Sequence, residues 1–207
     1  DDLVGALYHP QDGYINPADV TQAMAKGARQ HGATIERKVQ VDGYRWTGSE
    51  WIVSCTRMVE TGGNLVASED TFEIHAEHVV TATGNHAQRT ARLLGIKIPA
   101  IPVEHQYIVT EPHPAIKERQ AKGLPEMGVL RESDASYYMR EEAGGLLLGP
   151  YEVGAPACYV DGPAANSEYE LFPDALERLE PYIVAAMNRV PAFGEVGIKK
   201  VYNGAIA

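Results

Sequence analysis

His105 and Tyr107 lie two residues apart in an extended run over residues 98–112, so an imidazole and a phenol share one strand face and can serve one site. A core tyrosine with its hydroxyl satisfied is the competing reading of Tyr107. Arg140 lies in a second extended run, residues 136–142. Its guanidinium suits a bidentate grip on a carboxylate, but Glu141 and Glu142 follow directly and are equally placed to occupy it. Tyr137 and Tyr138 alternate across that strand, so at most one of them lines a pocket. Glu152, after a Gly-Pro-Tyr turn, reads more readily as a solvated turn residue than as part of a site. Backbone chemistry is suggested at residues 77–86, where an apolar, β-branched run stops at Thr83-Gly84 and a helix-like segment from Ala87 to Leu94 follows, closed by Gly95. A strand ending in a tight turn at a helix start lets a backbone without a Cβ approach a bound cofactor.

Other chemistries find little support. The seven histidines do not form a metal site by spacing: His75 and His78 point to opposite faces of extended chain, and His9, His31 and His113 read as isolated surface or helix-face residues. No G-x-S-x-G turn is present, and Cys55 and Cys158 lack the local motifs of reactive thiols. The net charge of −10, with only Arg37-Lys38 and Lys199-Lys200 as adjacent basic pairs, argues against nucleic acid as a partner. No run approaches the roughly eighteen apolar residues of a membrane span, and no signal peptide opens the chain. Two distant cysteines suit a reducing compartment, so a cytoplasmic or mitochondrial-matrix protein is expected.

The elements that must position these residues are partly legible. Asn16 and Pro17 open a helix whose apolar positions recur through Val20, Ala23, Met24, Gly27, Ala28 and His31, with Gly32 as its stop. Residues 33–41 read as a strand, and a hairpin pairs residues 44–46 with 51–55 across Thr47-Gly48-Ser49-Glu50. Short strands are expected at residues 71–74 and 78–83, on either side of Ala76-Glu77. Beyond Gly95, proline becomes frequent and strands alternate with polar connections. Residues 136–142 and 145–152 form a hairpin turning at Ala143-Gly144. Residues 174–188 carry an amphipathic stripe of Leu176, Leu179, Ile183, Ala186 and Met187, with Pro181 predicting a kink or two shorter helices. The fold class predicted is α/β plus α+β: a partial nucleotide-binding, Rossmann-like domain over residues 1–98 with a β-hairpin excursion, and an antiparallel-sheet domain over residues 99–207. A plain α+β domain with a meander is the alternative.

In order along the chain, these motifs resemble the amine-oxidising flavoprotein family that contains dimethylglycine and sarcosine dehydrogenases. Asp12-Gly13-Tyr14-Ile15-Asn16-Pro17 looks like the family's D-G-x-x-x-P entry to a helix. Residues 79–84 and 102–110 are similar to a V-V-N-A-A-G strand end followed by a P-V-x-H-Q-Y-x-V-T strand. Tyr137-Tyr138-Met139-Arg140, residues 147–152 and residues 197–204 also match motifs of the dimethylglycine dehydrogenase branch. The resemblance implies that residues 1–98 are the FAD-binding domain and residues 99–207 the substrate domain. It implies FAD as cofactor, with backbone contacts at Val39, Thr83 and Gly84. It implies Tyr107 and His105 as catalytic residues facing the flavin, and Arg140 and Tyr138 as binders of a small N-methyl amine. An electron-acceptor protein or oxygen would complete the reaction. The sequence departs from the family in having no G-x-G-x-x-G turn, no segment carrying the histidine of covalent flavin attachment, and no proline–aspartate–glycine segment after Asn203-Gly204; Asn85-His86 also stand where relatives often carry aromatics. The chain is therefore expected to be the middle of a flavoenzyme that by itself binds FAD weakly or not at all. The alternative is a non-catalytic binding module on a truncated flavoprotein scaffold.

Overall fold

The computed structural model describes residues 3–164, 167 and 170–207. Two compact units divide the chain, each assembled from separate stretches of sequence. One comprises Asp1–Ala23, His105–Gly154 and Phe172–Gly204, and the other Met24–Glu104, Ala155–Leu171 and Ala205–Ala207. The mixed α/β class with antiparallel sheets agrees with the sequence expectation.

Helix α1 (Pro17–Gln30) starts as its residues dictate. The Asn16 side chain accepts from the backbone N–H groups of Ala18 and Asp19 at 2.9 and 3.2 Å, which are donors that a helix start leaves unpaired. Strands β1 (Val39–Trp46), β2 (Trp51–Thr61) and β3 (Asn64–Ala76) form an antiparallel meander. The hairpin at 47–50 has the expected register, with Trp46 opposite Trp51. Two corrections belong to this unit. The strand expected at residues 33–41 begins only at Val39 and runs on to Trp46. The strand expected at residues 78–83 does not form: that segment is unpaired, and Val80 is 89% exposed. An apolar β-branched run becomes a strand only when a neighbour completes its ladder, and no described strand lies beside this one. Helix α2 (Ala87–Leu94) follows a short 3₁₀ turn (Gly84–His86) and ends at Gly95, whose φ of 67° is the left-handed cap read from the sequence. Arg89 ties α2 to β1, donating to Gln40 Oε1 at 3.2 Å and to the Val41 carbonyl at 3.4 Å.

The other unit is built on a five-stranded sheet. It contains β4 (Val103–Thr110), β5 (Leu130–Glu132), β6 (Tyr137–Glu142), β7 (Gly145–Pro150) and β8 (Ile198–Ile206), in the order β5-β6-β7-β4-β8. Ala143 and Gly144, at φ 49° and 80°, make the two-residue turn that sets Glu142 opposite Gly145. One sheet face is packed by helix α3 (Pro114–Ala121), helix α4 (Leu176–Arg189) and a 3₁₀ turn at Pro191–Glu195. Ile108, Tyr137, Met139, Leu146, Leu148 and Val201 meet Ile116, Leu179, Ala186 and Phe193 there. Helix α4 is one continuous span despite Pro181, and only the middle of its expected stripe is buried, since Leu176 and Met187 are exposed. Helix α3 and β5 are not legible in the sequence. His113, read there as an isolated residue, is buried and caps α3: its Nδ1 accepts from the Ala115 N–H at 3.1 Å, and its Nε2 pairs with Glu195 Oε2 at 3.1 Å.

Candidate active site

Strand alternation sends one set of side chains into that core and the complementary set to the opposite sheet face. On β6, Tyr137, Met139 and Glu141 are buried, while Tyr138, Arg140 and Glu142 remain partly open. On β4, Gln106 and Ile108 face the core, and His105 and Tyr107 face away from it. On β8, Val201 and Asn203 are buried, whereas Lys200 and Tyr202 are not. The second set lines a cleft of about 470 Å³, with Tyr107 and Val109 from β4, Tyr138, Arg140 and Glu142 from β6, Leu147 from β7, and Lys200 and Tyr202 from β8. Pairing accounts for the floor, because Arg140 stands opposite Leu147 and Leu147 opposite Val109.

The expected residues Tyr107, Tyr138 and Arg140 are thus brought together. Tyr107 stacks on Tyr202 with ring centroids 4.8 Å apart and 17° between planes. Burial first, and then the neighbouring Tyr202 and Tyr138, push the Tyr107 phenol above its ordinary range, so it carries its proton through neutral pH. The Tyr138 ring lies across Gly149, the residue opposite it on β7, so closely that a Cβ at 149 would fall within van der Waals overlap of the ring. His105 shares the strand face but is not among the cleft's lining residues; its ring sits 6.0 Å from that of Tyr151, which in turn lies 5.9 Å from Tyr138. Burial holds the His105 imidazole below the usual histidine range, against the opposing effect of the Glu152 charge.

Arg140 is held from two sides. Its Nη1 donates to the Glu141 carbonyl at 2.8 Å and pairs with Glu142 Oε2 at 2.6 Å. The Tyr14 ring lies 4.3 Å from the guanidinium carbon, and the Tyr14 hydroxyl donates to Glu126 Oε2 at 2.5 Å. The Glu141 carboxylate takes no part: it is buried and accepts from the Met127 N–H at 2.9 Å. Glu152 corrects the sequence expectation of a solvated residue. Its side chain is 3% exposed, pairs with Arg178 at 2.9 Å and accepts from the Gln106 backbone N–H at 3.1 Å. Glu142, Lys200 and Tyr202 were missed as cleft residues, and Tyr14 as the ring against Arg140; the period-2 alternation Lys200/Tyr202 was visible, but not the adjacency of β8 to β4.

In the other unit, Val39 opens β1 and Thr83-Gly84 precede α2. Thr83 Oγ1 accepts from Thr90 Oγ1 at 3.0 Å, and Gly84 has φ 49° with open space where a Cβ would stand. Among the described residues no group of His, Cys, Asp and Glu is arranged to hold a metal ion, and no helix is long and apolar enough to cross a membrane.

Comparison with known proteins places the chain. The family model for FAD dependent oxidoreductases matches residues 1–207, and the chain belongs to that family. It is 32% identical over 209 residues to the mitochondrial dimethylglycine dehydrogenase of Mus musculus, covering 99% of this chain and 22% of that protein. It is 31% identical over 207 residues to the mitochondrial sarcosine dehydrogenase of Homo sapiens, covering 99% of this chain and 20% of that protein. The chain thus spans about a fifth of the length of these curated relatives. The crystal structure of L-proline dehydrogenase from P.horikoshii shares the fold at a TM-score of 0.60 and 22% identity, over 91% of this chain and 43% of that one. Against FAD, the residues present fit in part. The open backbone at Gly84 offers the close approach a cofactor needs, but the chain has no glycine-rich turn to cradle a pyrophosphate.

Proposed function

We propose that this chain is part of an FAD-dependent oxidoreductase that oxidises a small N-methylated amino acid, of the dimethylglycine or sarcosine kind. In this reading residues 1–98 belong to the FAD-binding domain and residues 99–207 to the substrate domain. The observation that carries it is the Arg140 guanidinium on a tyrosine-lined cleft, in a chain about one-third identical to dehydrogenases named for those substrates. Bound FAD supplies the acceptor of a hydride equivalent from the carbon beside nitrogen. Val39, Thr83 and Gly84 meet the cofactor through backbone atoms. Arg140 engages the substrate carboxylate through Nε and Nη2, which hold no protein partner among the described residues. Tyr107, Tyr138 and Tyr202 exclude water around the amine, which favours its neutral, oxidisable form. The Tyr107 hydroxyl, which keeps its own proton, hydrogen-bonds the amine, and the neutral His105 imidazole on the same strand face is the base that accepts the proton the amine gives up. An electron-carrier protein or oxygen reoxidises the flavin, in the cytoplasm or the mitochondrial matrix. The 207-residue chain on its own holds FAD weakly or not at all.

The test is a flavin absorbance scan of the protein at its natural termini, with N-methyl amines as reductants. Bleaching by dimethylglycine or sarcosine is expected, and a flavin that none of these amines reduces would overturn the proposal. Arg140→Lys should raise KM for dimethylglycine about tenfold, because a point charge replaces a planar fork. It should leave an amine without a carboxylate little changed; equal losses on both would make Arg140 a support of the β6–β7 hairpin. Tyr107→Phe should lower turnover by about tenfold or more with little change in Tm, since no described residue holds its hydroxyl. A lowered Tm with unchanged rates would assign Tyr107 to packing.

A further inference from the structure

The ion pair between Arg140 and Glu142 differs from the buried pairs of its unit. Glu152–Arg178 and Glu132–Arg189 each join residues from different elements, and their carboxylates are 3% and 13% exposed. They are struts. Arg140 and Glu142 stand two residues apart on one strand, so their contact ties no two elements together. The Glu142 carboxylate is 37% exposed, lines the cleft, and has no other hydrogen-bond partner among the described residues. Nor is it needed to fix the guanidinium plane, which the Tyr14 ring and the Glu141 carbonyl already define. A pair that contributes little to the fold and opens its carboxylate to a binding cleft is placed for recognition.

The geometry points to Glu142 as the group that receives the substrate's ammonium, making Arg140 and Glu142 together a receptor for a zwitterion. This rests on the reading of Arg140 as the carboxylate clamp. A guanidinium and a carboxylate 2.6 Å apart present, side by side, the two charges complementary to an α-amino acid. An entering zwitterion gives its carboxylate to Arg140 and its N–H to Glu142, and leaves the cleft's charge unchanged; the amine then yields that proton to the His105 imidazole before it is oxidised. A plain carboxylate gains only the guanidinium and faces the repulsion of Glu142 at the same spot. The pair therefore selects amino acids over simple carboxylates, and Glu142 is the specificity-determining half.

The experiment uses the flavin-loaded protein at its natural termini and two probes: dimethylglycine, read as KM, and propionate, read as a calorimetric Kd. Glu142→Gln should raise KM for dimethylglycine about tenfold, the usual worth of a charge-assisted hydrogen bond. The same variant should tighten propionate binding severalfold, because the guanidinium loses its competitor. Glu142→Asp, which keeps the charge, should return most of the preference for dimethylglycine. Loss on both probes, or no change on either, would overturn the role of Glu142 and leave the Arg140 clamp standing. If Arg140→Lys leaves propionate binding unchanged, the clamp itself has failed, and the zwitterion receptor fails with it.

Discussion

Glu152→Ala should cost about 3 kcal/mol of stability, the usual loss when one member of a buried, hydrogen-bonded ion pair is removed. The carboxylate is 3% exposed and joins three parts of its unit. It receives the Arg178 Nε–H from the first turn of α4 at 2.9 Å, and the Gln106 backbone N–H from β4 at 3.1 Å. Gln106, itself fully buried, continues the connection: its Oε1 accepts from the Ala175 N–H at 2.9 Å, and its Nε2 donates to the Ala175 carbonyl at 3.2 Å. Alanine at 152 would leave the Gln106 backbone donor unpaired on the sheet side and remove the acceptor of the Arg178 Nε–H on the helix side. Glu152→Gln should lose less, because an amide oxygen still accepts. Urea unfolding of the three proteins at equal ionic strength checks the order. A loss below about 1 kcal/mol for the alanine variant would show that the network holds α4 without Glu152.

Gly149→Ala should lower turnover by about a hundredfold while costing only about 1–3 kcal/mol of stability. A Cβ at this position would meet the Tyr138 ring at its Cζ, Cε1 and hydroxyl atoms. Cross-strand pairing sets Tyr138 directly opposite residue 149, so sliding along the strand offers no relief. The ring has to swing away from β7, and with it goes one wall of the cleft. Because Tyr138 lies on the open face of the sheet, the core beneath it should stay intact. Steady-state kinetics beside thermal melts checks the prediction. Turnover unchanged in the alanine variant would mean that the placement of Tyr138 on Gly149 is immaterial to the reaction.

Much of the local structure follows from residue types that act over a few positions. Asn16 caps α1 and Gly95 closes α2 because short-range hydrogen bonds and backbone sterics act without reference to the rest of the chain. Ala143-Gly144 sets the β6–β7 register, and with that register the period-2 rule alone separates Tyr138 and Arg140 from Tyr137 and Met139. Three of the cleft residues, Tyr107, Tyr138 and Arg140, were therefore within reach of the sequence, helped by a resemblance that carries information no spacing contains. Tertiary placement decided the rest. Residues 78–83 have strand composition and no strand beside them, and composition does not supply a partner. Glu152 follows a turn in sequence, but burial against Gln106 and Arg178 depends on where α4 docks. Glu141 and Glu142 are equivalent neighbours of Arg140 in the sequence; the pleat gives one carboxylate to the Met127 N–H and the other to the guanidinium. Long-range chain closure alone lays the Tyr14 ring on Arg140, and it alone brings Tyr202 to the cleft, because β8 pairs beside β4. Side-chain direction along a strand is a local property of the sequence, whereas which strands become neighbours is a property of the whole fold, and the cleft required both.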